Sequence, residues 1–168
     1  MTSATIKLFL PHGDAKGLRT AEISNWTGKA LAAPRTELDH LLAREECEKA
    51  GVYVLTGSDP STNAPHAYIG EAEIIRDRLK QHKGKEFWVS AIVFVSKDEN
   101  LTKAHVRYLE SRLLTEAMQV GRFTLERRSL TYICTISSPA IVPVLLTATL
   151  TVVACFLPIF FFFNCGVP

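Results

Sequence analysis

The stretch that decides the fold is Gly51-Val52-Tyr53-Val54-Leu55, then Gly57-Ser58-Asp59-Pro60-Ser61-Thr62-Asn63, then His66-Ala67-Tyr68-Ile69-Gly70. Its outer runs are rich in β-branched and aromatic residues. Its middle is a cluster of Gly, Ser, Asp, Pro, Thr and Asn, the residues that turn a chain. The pattern predicts two neighbouring strands paired as a hairpin across a long loop, Thr56 to Ala67. Tyr53 and Tyr68 then fall on adjacent strands, where their hydroxyls converge on one face.

Downstream, a short helix is expected from about Glu73 to His82, with Ile75 and Leu79 on its buried side. Arg78 and His82 stand at i and i+4, so they share one helix face. Ser90 to Ser96 is a third, largely buried strand. Asp98-Glu99-Asn100 turns the chain, Thr102 caps, and a helix runs from about Lys103 to Met118. Val106, Leu109, Leu113, Leu114 and Ala117 form its apolar face. Glu110 lies one turn from Val106 and one turn from Leu114, a costly place for a carboxylate that is neither paired nor metal-bound.

The ordered set Gly51-Val52-Tyr53, Tyr68-Ile69-Gly70, Arg78, His82 and Glu110 resembles the GIY-YIG nuclease domain, over roughly Ala50 to Arg122. From Phe87 to Leu114 the chain is especially similar to a bacterial GIY-YIG subgroup of unassigned role. The resemblance implies hydrolysis of a DNA phosphodiester with one divalent cation, Mg²⁺ or Mn²⁺. It implies Tyr53, Tyr68, Arg78 and His82 as catalytic residues and Glu110 as the metal ligand. The family usually carries an Asn after the Glu-bearing helix, and Gly121 to Arg128 holds none.

The chemistry suits these residue types. A planar guanidinium at Arg78 clamps an anionic phosphate. A single carboxylate matches magnesium, which keeps several waters. Tyr53 orients or deprotonates the attacking water, and its ordinary pKa near 10 must be overcome by its neighbours. From Ile74 to Trp88 the balance is five basic residues minus two acids, or +3. Arg76, Lys80, Lys83 and Lys85 are therefore expected to track a DNA backbone. Phe87 and Trp88 anchor the start of the third strand.

Before this region, Ile6 to Leu10 and Leu18 to Ile23 are expected as a hairpin, with Ser24 to Lys29 a loop. Thr36 and Asp39 resemble a capping box opening a helix whose apolar stripe is Leu38, Leu41 and Leu42. Residues 1–50 carry seven basic and seven acidic side chains, so no nucleic-acid footprint shows there. The expected fold class is α/β (α+β): a small three-stranded, mainly antiparallel sheet flanked by helices. A ββα lead-in over 1–50 precedes the nuclease-like domain over 51–128, and an apolar helical tail over 129–168 follows it.

No charged residue follows Arg128. Ala140 to Phe163 is apolar apart from three threonines and two prolines, and at about 1.5 Å per residue it covers the roughly 30 Å of a bilayer core. Arg122, Arg127 and Arg128 precede it, so a span over 140–163 would keep the N-terminal part cytoplasmic. The alternative is an aberrant C-terminus without selected function. The first residues show no secretory signal. A net charge of +2 over 168 residues excludes a strongly basic tail binder and an acidic disordered chain. Four cysteines without a C-x-x-C pair argue against a disulfide framework or a Cys-rich zinc site. Two other functions remain open: a catalytically weak DNA-binding module of the same fold, and a tail-anchored membrane protein.

Overall fold

The computed structural model describes residues 5–24, 26–98 and 101–126. The hydrophobic tail over 129–168, with its span over 140–163, lies outside them. Twelve elements follow in order. Strands β1 (Ile6–Phe9), β2 (Arg19–Ile23) and β3 (Gly28–Pro34) come first. A 3₁₀ turn (Arg35–Glu37), helix α1 (Leu38–Leu42) and a second 3₁₀ turn (Glu45–Glu48) come next. Then follow β4 (Gly51–Ser58), β5 (Pro65–Ala72), α2 (Ile75–His82), β6 (Trp88–Ser96), α3 (Lys103–Val120) and β7 (Thr124–Leu125).

The α+β class agrees with expectation, but the sheet does not. In place of three strands, the described residues form one seven-stranded sheet in the order β1-β2-β3-β6-β4-β5-β7. It is mixed, because β5 and β7 run parallel at His66 and Ala67 while the other pairs are antiparallel. The cause is β3. Gly28 and Lys29, expected in a loop, begin a strand that pairs with β6 from Gly28↔Ser96 to Pro34↔Ser90. That ladder joins the hairpin of residues 6–23 to the strands of the tyrosine motifs.

Alternation sends side chains to two faces. On one, Val52, Val54, Ile69, Ile92 and Phe94 pack under Val106, Leu109, Leu113 and Leu114 of α3. On the other, Leu31, Tyr53, Leu55, Val93 and Trp88 pack under α1 and α2 through Leu38, Leu41, Ile75 and Leu79. Each such side chain, once fully buried, contributes about 1.5–3 kcal/mol. The Thr102 cap forms: its hydroxyl accepts from the His105 N–H, and the His105 ring accepts from the Thr102 N–H. The capping box read at Thr36 does not. The chain enters α1 through the 3₁₀ turn, and no side chain caps the helix. Glu37 instead accepts from the Leu18 N–H at 2.8 Å, tying that turn to the start of β2.

An ion-pair chain fastens the second 3₁₀ turn to the sheet. Lys29 Nζ lies 2.6 Å from Glu46 and 3.3 Å from Glu22, and Arg44 lies 3.0 Å from Glu46. Burial alone would raise the Glu46 carboxyl, but Lys29 and Arg44 hold it down at about 2 against an ordinary 4.5. A depressed carboxyl stabilises the fold above its unfolded value and loses that stability as pH falls through its folded one. Glu46→Gln is therefore expected to be less stable than the parent at neutral pH. The gap should close as pH falls from 4.5 to about 2, as read by urea unfolding across a pH series.

Candidate active site

Strand β4 brings Tyr53 to the α2 face with 1% of its surface exposed. Tyr53 pairs with Gly70 and Leu55 with Tyr68, so the two tyrosines stand diagonally on that face, with ring centroids 5.8 Å apart. The glycine of the second motif has a steric reason. A Cβ on Gly70 would lie 2.7 Å from the Tyr53 hydroxyl oxygen and 2.8 Å from a Tyr68 ring carbon. Both rings lie over its bare backbone.

Helix α2 places His82 on the same cluster. Its Nε2 is 2.9 Å from the Tyr53 hydroxyl, and its ring is 4.8 Å from that of Tyr68. His82 is 7% exposed. Burial pushes its pKa below the usual imidazole range; Lys85 and Arg78 add to this and Glu126 opposes it. The imidazole is thus neutral at neutral pH. The Tyr53 hydroxyl is pushed well above the usual phenol range by burial, then by Tyr68, with Glu110 adding to it against Arg78. At rest it is a phenol.

Arg78 lies on the exposed side of α2, where its guanidinium donates to Gln81 at 2.9 Å. It lines an open cleft of about 310 Å³ with Glu71, Glu73, Asp77 and Lys103 among others. Glu110 comes from α3, the helix on the opposite face of the sheet. Burial first, and the Glu71 carboxylate second, push it up to about 7. β7 pairs with β5 only at His66 and Ala67. The Glu110 charge adds to the rise at Tyr53, and Arg78 in turn opposes the rise at Glu110.

Comparison with known proteins is silent on this arrangement. No protein-family model, no curated protein and no solved structure matches the chain.

Of the residues singled out by sequence, Tyr53, Tyr68 and His82 are in mutual contact. Arg78 lines the open cleft and Glu110 comes from the opposite face of the sheet, with no ion pair between them among the described residues. The basic residues divide. Arg76 is held by the Leu42 and Arg44 carbonyls and by Glu48. Lys83 pairs with Asp39 at 3.1 Å, and Lys80 is exposed. Lys85 sits 5.1 Å above the Tyr68 ring centroid and 3.5 Å from Glu126.

Three contributors escaped sequence reading: Arg35, Glu71 and Glu126. The Arg35 guanidinium donates to the carbonyls of Lys83, Lys85 and Trp88 and stacks over the Trp88 ring at 4.8 Å. Trp88 in turn donates its indole N–H to the His82 carbonyl at 3.0 Å. This chain fixes the end of α2 and with it the His82 ring. Nothing local in the sequence joins positions fifty residues apart.

Proposed function

We propose that the chain is a divalent-metal-dependent DNA endonuclease of the GIY-YIG type. The observation that carries this reading is the buried Tyr53–His82 hydrogen bond beside Tyr68, made by two strands and a helix in the order the motif requires. A phenol held against a neutral imidazole is a proton-transfer pair. Tyr53 takes a proton from the attacking water as its own proton passes to His82 Nε2, a coupled relay that forms no free phenolate in a pocket where burial disfavours one. Tyr68 orients that water or the phosphate. Arg78, on the open cleft, clamps a phosphate oxygen. Lys80, Lys83 and Lys85 face the DNA backbone.

The residues fit a magnesium or manganese ion. Glu110 is raised because burial and a second carboxylate, Glu71, both disfavour its charge, and a cation relieves both. Among the described residues no group of three or more His, Cys, Asp or Glu forms a metal cluster. One or two carboxylates with waters is nevertheless the set that magnesium accepts. Glu110, with Glu71 beside it, would hold the ion. Such an ion would supply positive charge to stabilise the charge that develops as the phosphodiester is cleaved.

The full chain is expected to convert supercoiled plasmid to open-circular form in Mg²⁺ or Mn²⁺ and to stop on addition of chelator. No conversion with either ion across pH 6 to 9 sinks the reading. A second reading, a DNA-binding module without catalysis, draws on Arg78 donating to Gln81 rather than meeting Glu110, and on the missing Asn after α3. Retention of DNA without nicking is its signature in the same samples. Among the described residues no helix is long and apolar enough to cross a membrane. A tail anchor over 140–163 would hold the nuclease at a membrane surface, with residues 1–128 on the cytoplasmic side.

A further inference from the structure

Around β5, His66 Nδ1, His82 Nδ1 and Glu126 Oε2 are buried without a hydrogen-bond partner. Of these, His82 Nδ1 and Glu126 Oε2, which do not bond to each other in this structure, are chemically complementary. When the Tyr53 phenol donates to Nε2, the neutral imidazole keeps its proton on Nδ1, a donor. A carboxylate oxygen is an acceptor only. The elements bring the two groups to one place. β7 runs beside β5, and the Glu126 N–H donates to the Ala67 carbonyl at 3.2 Å. Glu126 Oε1 lies 3.5 Å from Lys85, Lys85 lies over Tyr68, and the Tyr68 ring lies tilted against that of His82, 4.8 Å between centroids.

We propose that Glu126 is the positioning carboxylate of His82, holding its Nδ1–H tautomer and stabilising the imidazolium formed when Tyr53 gives up its proton. Catalytically this rests on the nuclease reading; structurally it does not. The proton balance closes. As Tyr53 O–H passes its proton to Nε2, its oxygen takes one from water, so imidazolium forms without a free phenolate. The water oxygen bonds to phosphorus as the bond to the leaving oxygen breaks. The leaving alkoxide takes the imidazolium proton, by way of solvent. Positive charge develops at His82 during the first step, and a carboxylate is the counter-charge that step needs. The segment after α3, which lacks the usual Asn, thus supplies an acid to the site.

The groups facing His82 are Tyr53 from β4, Tyr68 from β5, Arg78 and Lys85 from α2 and the turn after it, and Glu126 from beyond β7. Lys85 and Glu126 belong to one ion pair but act on His82 in opposite senses. This gives a test that a merely structural role fails. Glu126→Gln and Lys85→Gln each break the pair in the full chain, and ¹⁵N NMR of the histidine ring reads tautomer and titration directly. The expected result is an Nδ1–H tautomer in the parent. The titration should move to lower pH in Glu126→Gln and to higher pH in Lys85→Gln. Plasmid nicking by Glu126→Gln should fall about 10–100-fold, the usual scale for losing an orienting partner, with DNA affinity kept. An Nε2–H tautomer, or shifts in the same direction in both variants, overturns the proposal. Opposite shifts in a chain that never nicks DNA uphold the Glu126–His82 pairing and count against the nuclease reading alone.

Discussion

Glu110→Ala and Arg78→Ala are each expected to lower Mg²⁺-dependent nicking by about 100- to 1000-fold. On the proposed nuclease mechanism each removes a charge aimed at the transition state, an effect of about 3–4 kcal/mol for a well-placed group. For Glu110 the loss separates from any loss of fold. Its carboxyl is raised from 4.5 to about 7. A raised carboxyl gives stability that is present below its unfolded value and disappears as pH rises through the folded one. Above pH 7 the ionised Glu110 therefore weakens the apo protein. Glu110→Gln should match or exceed the parent in unfolding free energy at pH 8 while its nicking collapses. Unchanged nicking in both Glu110→Ala and Arg78→Ala assigns the cleavage to another site or a contaminant.

The largest expected effect on stability belongs to Trp88→Ala. Trp88 is fully buried at the start of β6, donates to the His82 carbonyl and carries Arg35 on its ring. Truncating a buried Trp costs about 3–5 kcal/mol through lost transfer energy and the cavity left behind. Thermal unfolding should shift down by roughly 10 °C or more. Trp88→Phe keeps most of the packing and loses the indole donor, a smaller cost of about 1 kcal/mol. The Phe variant should stay folded yet let the His82 ring loosen against Tyr53. A reduced nicking rate in a stably folded Trp88→Phe separates the positioning role from the packing role. Equal unfolding midpoints for the parent and Trp88→Ala would mean the core does not depend on this side chain.

The parts of the fold legible in the sequence were those whose own residues declare their state. β4, β5 and β6 are rich in Val, Ile and Tyr, and α3 carries an apolar face at helical spacing, with Val106, Leu109, Leu113 and Leu114 buried. β3 was hidden because its sequence, Gly-Lys-Ala-Leu-Ala-Ala-Pro, has little β propensity. Its partners make it a strand: β6 on one side and β2 on the other supply the hydrogen bonds that local preference does not. Missing it made the sheet look small. β7 was invisible for a related reason, since two residues pairing in parallel leave no periodic trace. The same division holds at the site. Tyr53, Tyr68 and His82 could be placed from strand and helix spacing. Glu71, Glu126 and Arg35 act through contacts that only the closed sheet creates.

The β3–β6 ladder has a kinetic consequence. Its partners are separated by 96 − 28 = 68 residues at one end and 90 − 34 = 56 at the other. Contacts of such long sequence range give a high contact order, and ordering so much chain before any reward slows folding. During synthesis, at about 5–20 residues per second, β3 must wait several seconds for β6 to emerge. Through that interval one edge of β3, lined by Ala30, Leu31, Ala32 and Ala33, has no strand beside it, the state in which neighbouring nascent chains can pair with it instead. Productive folding of this protein is thus a race between its own sixth strand and another copy's third.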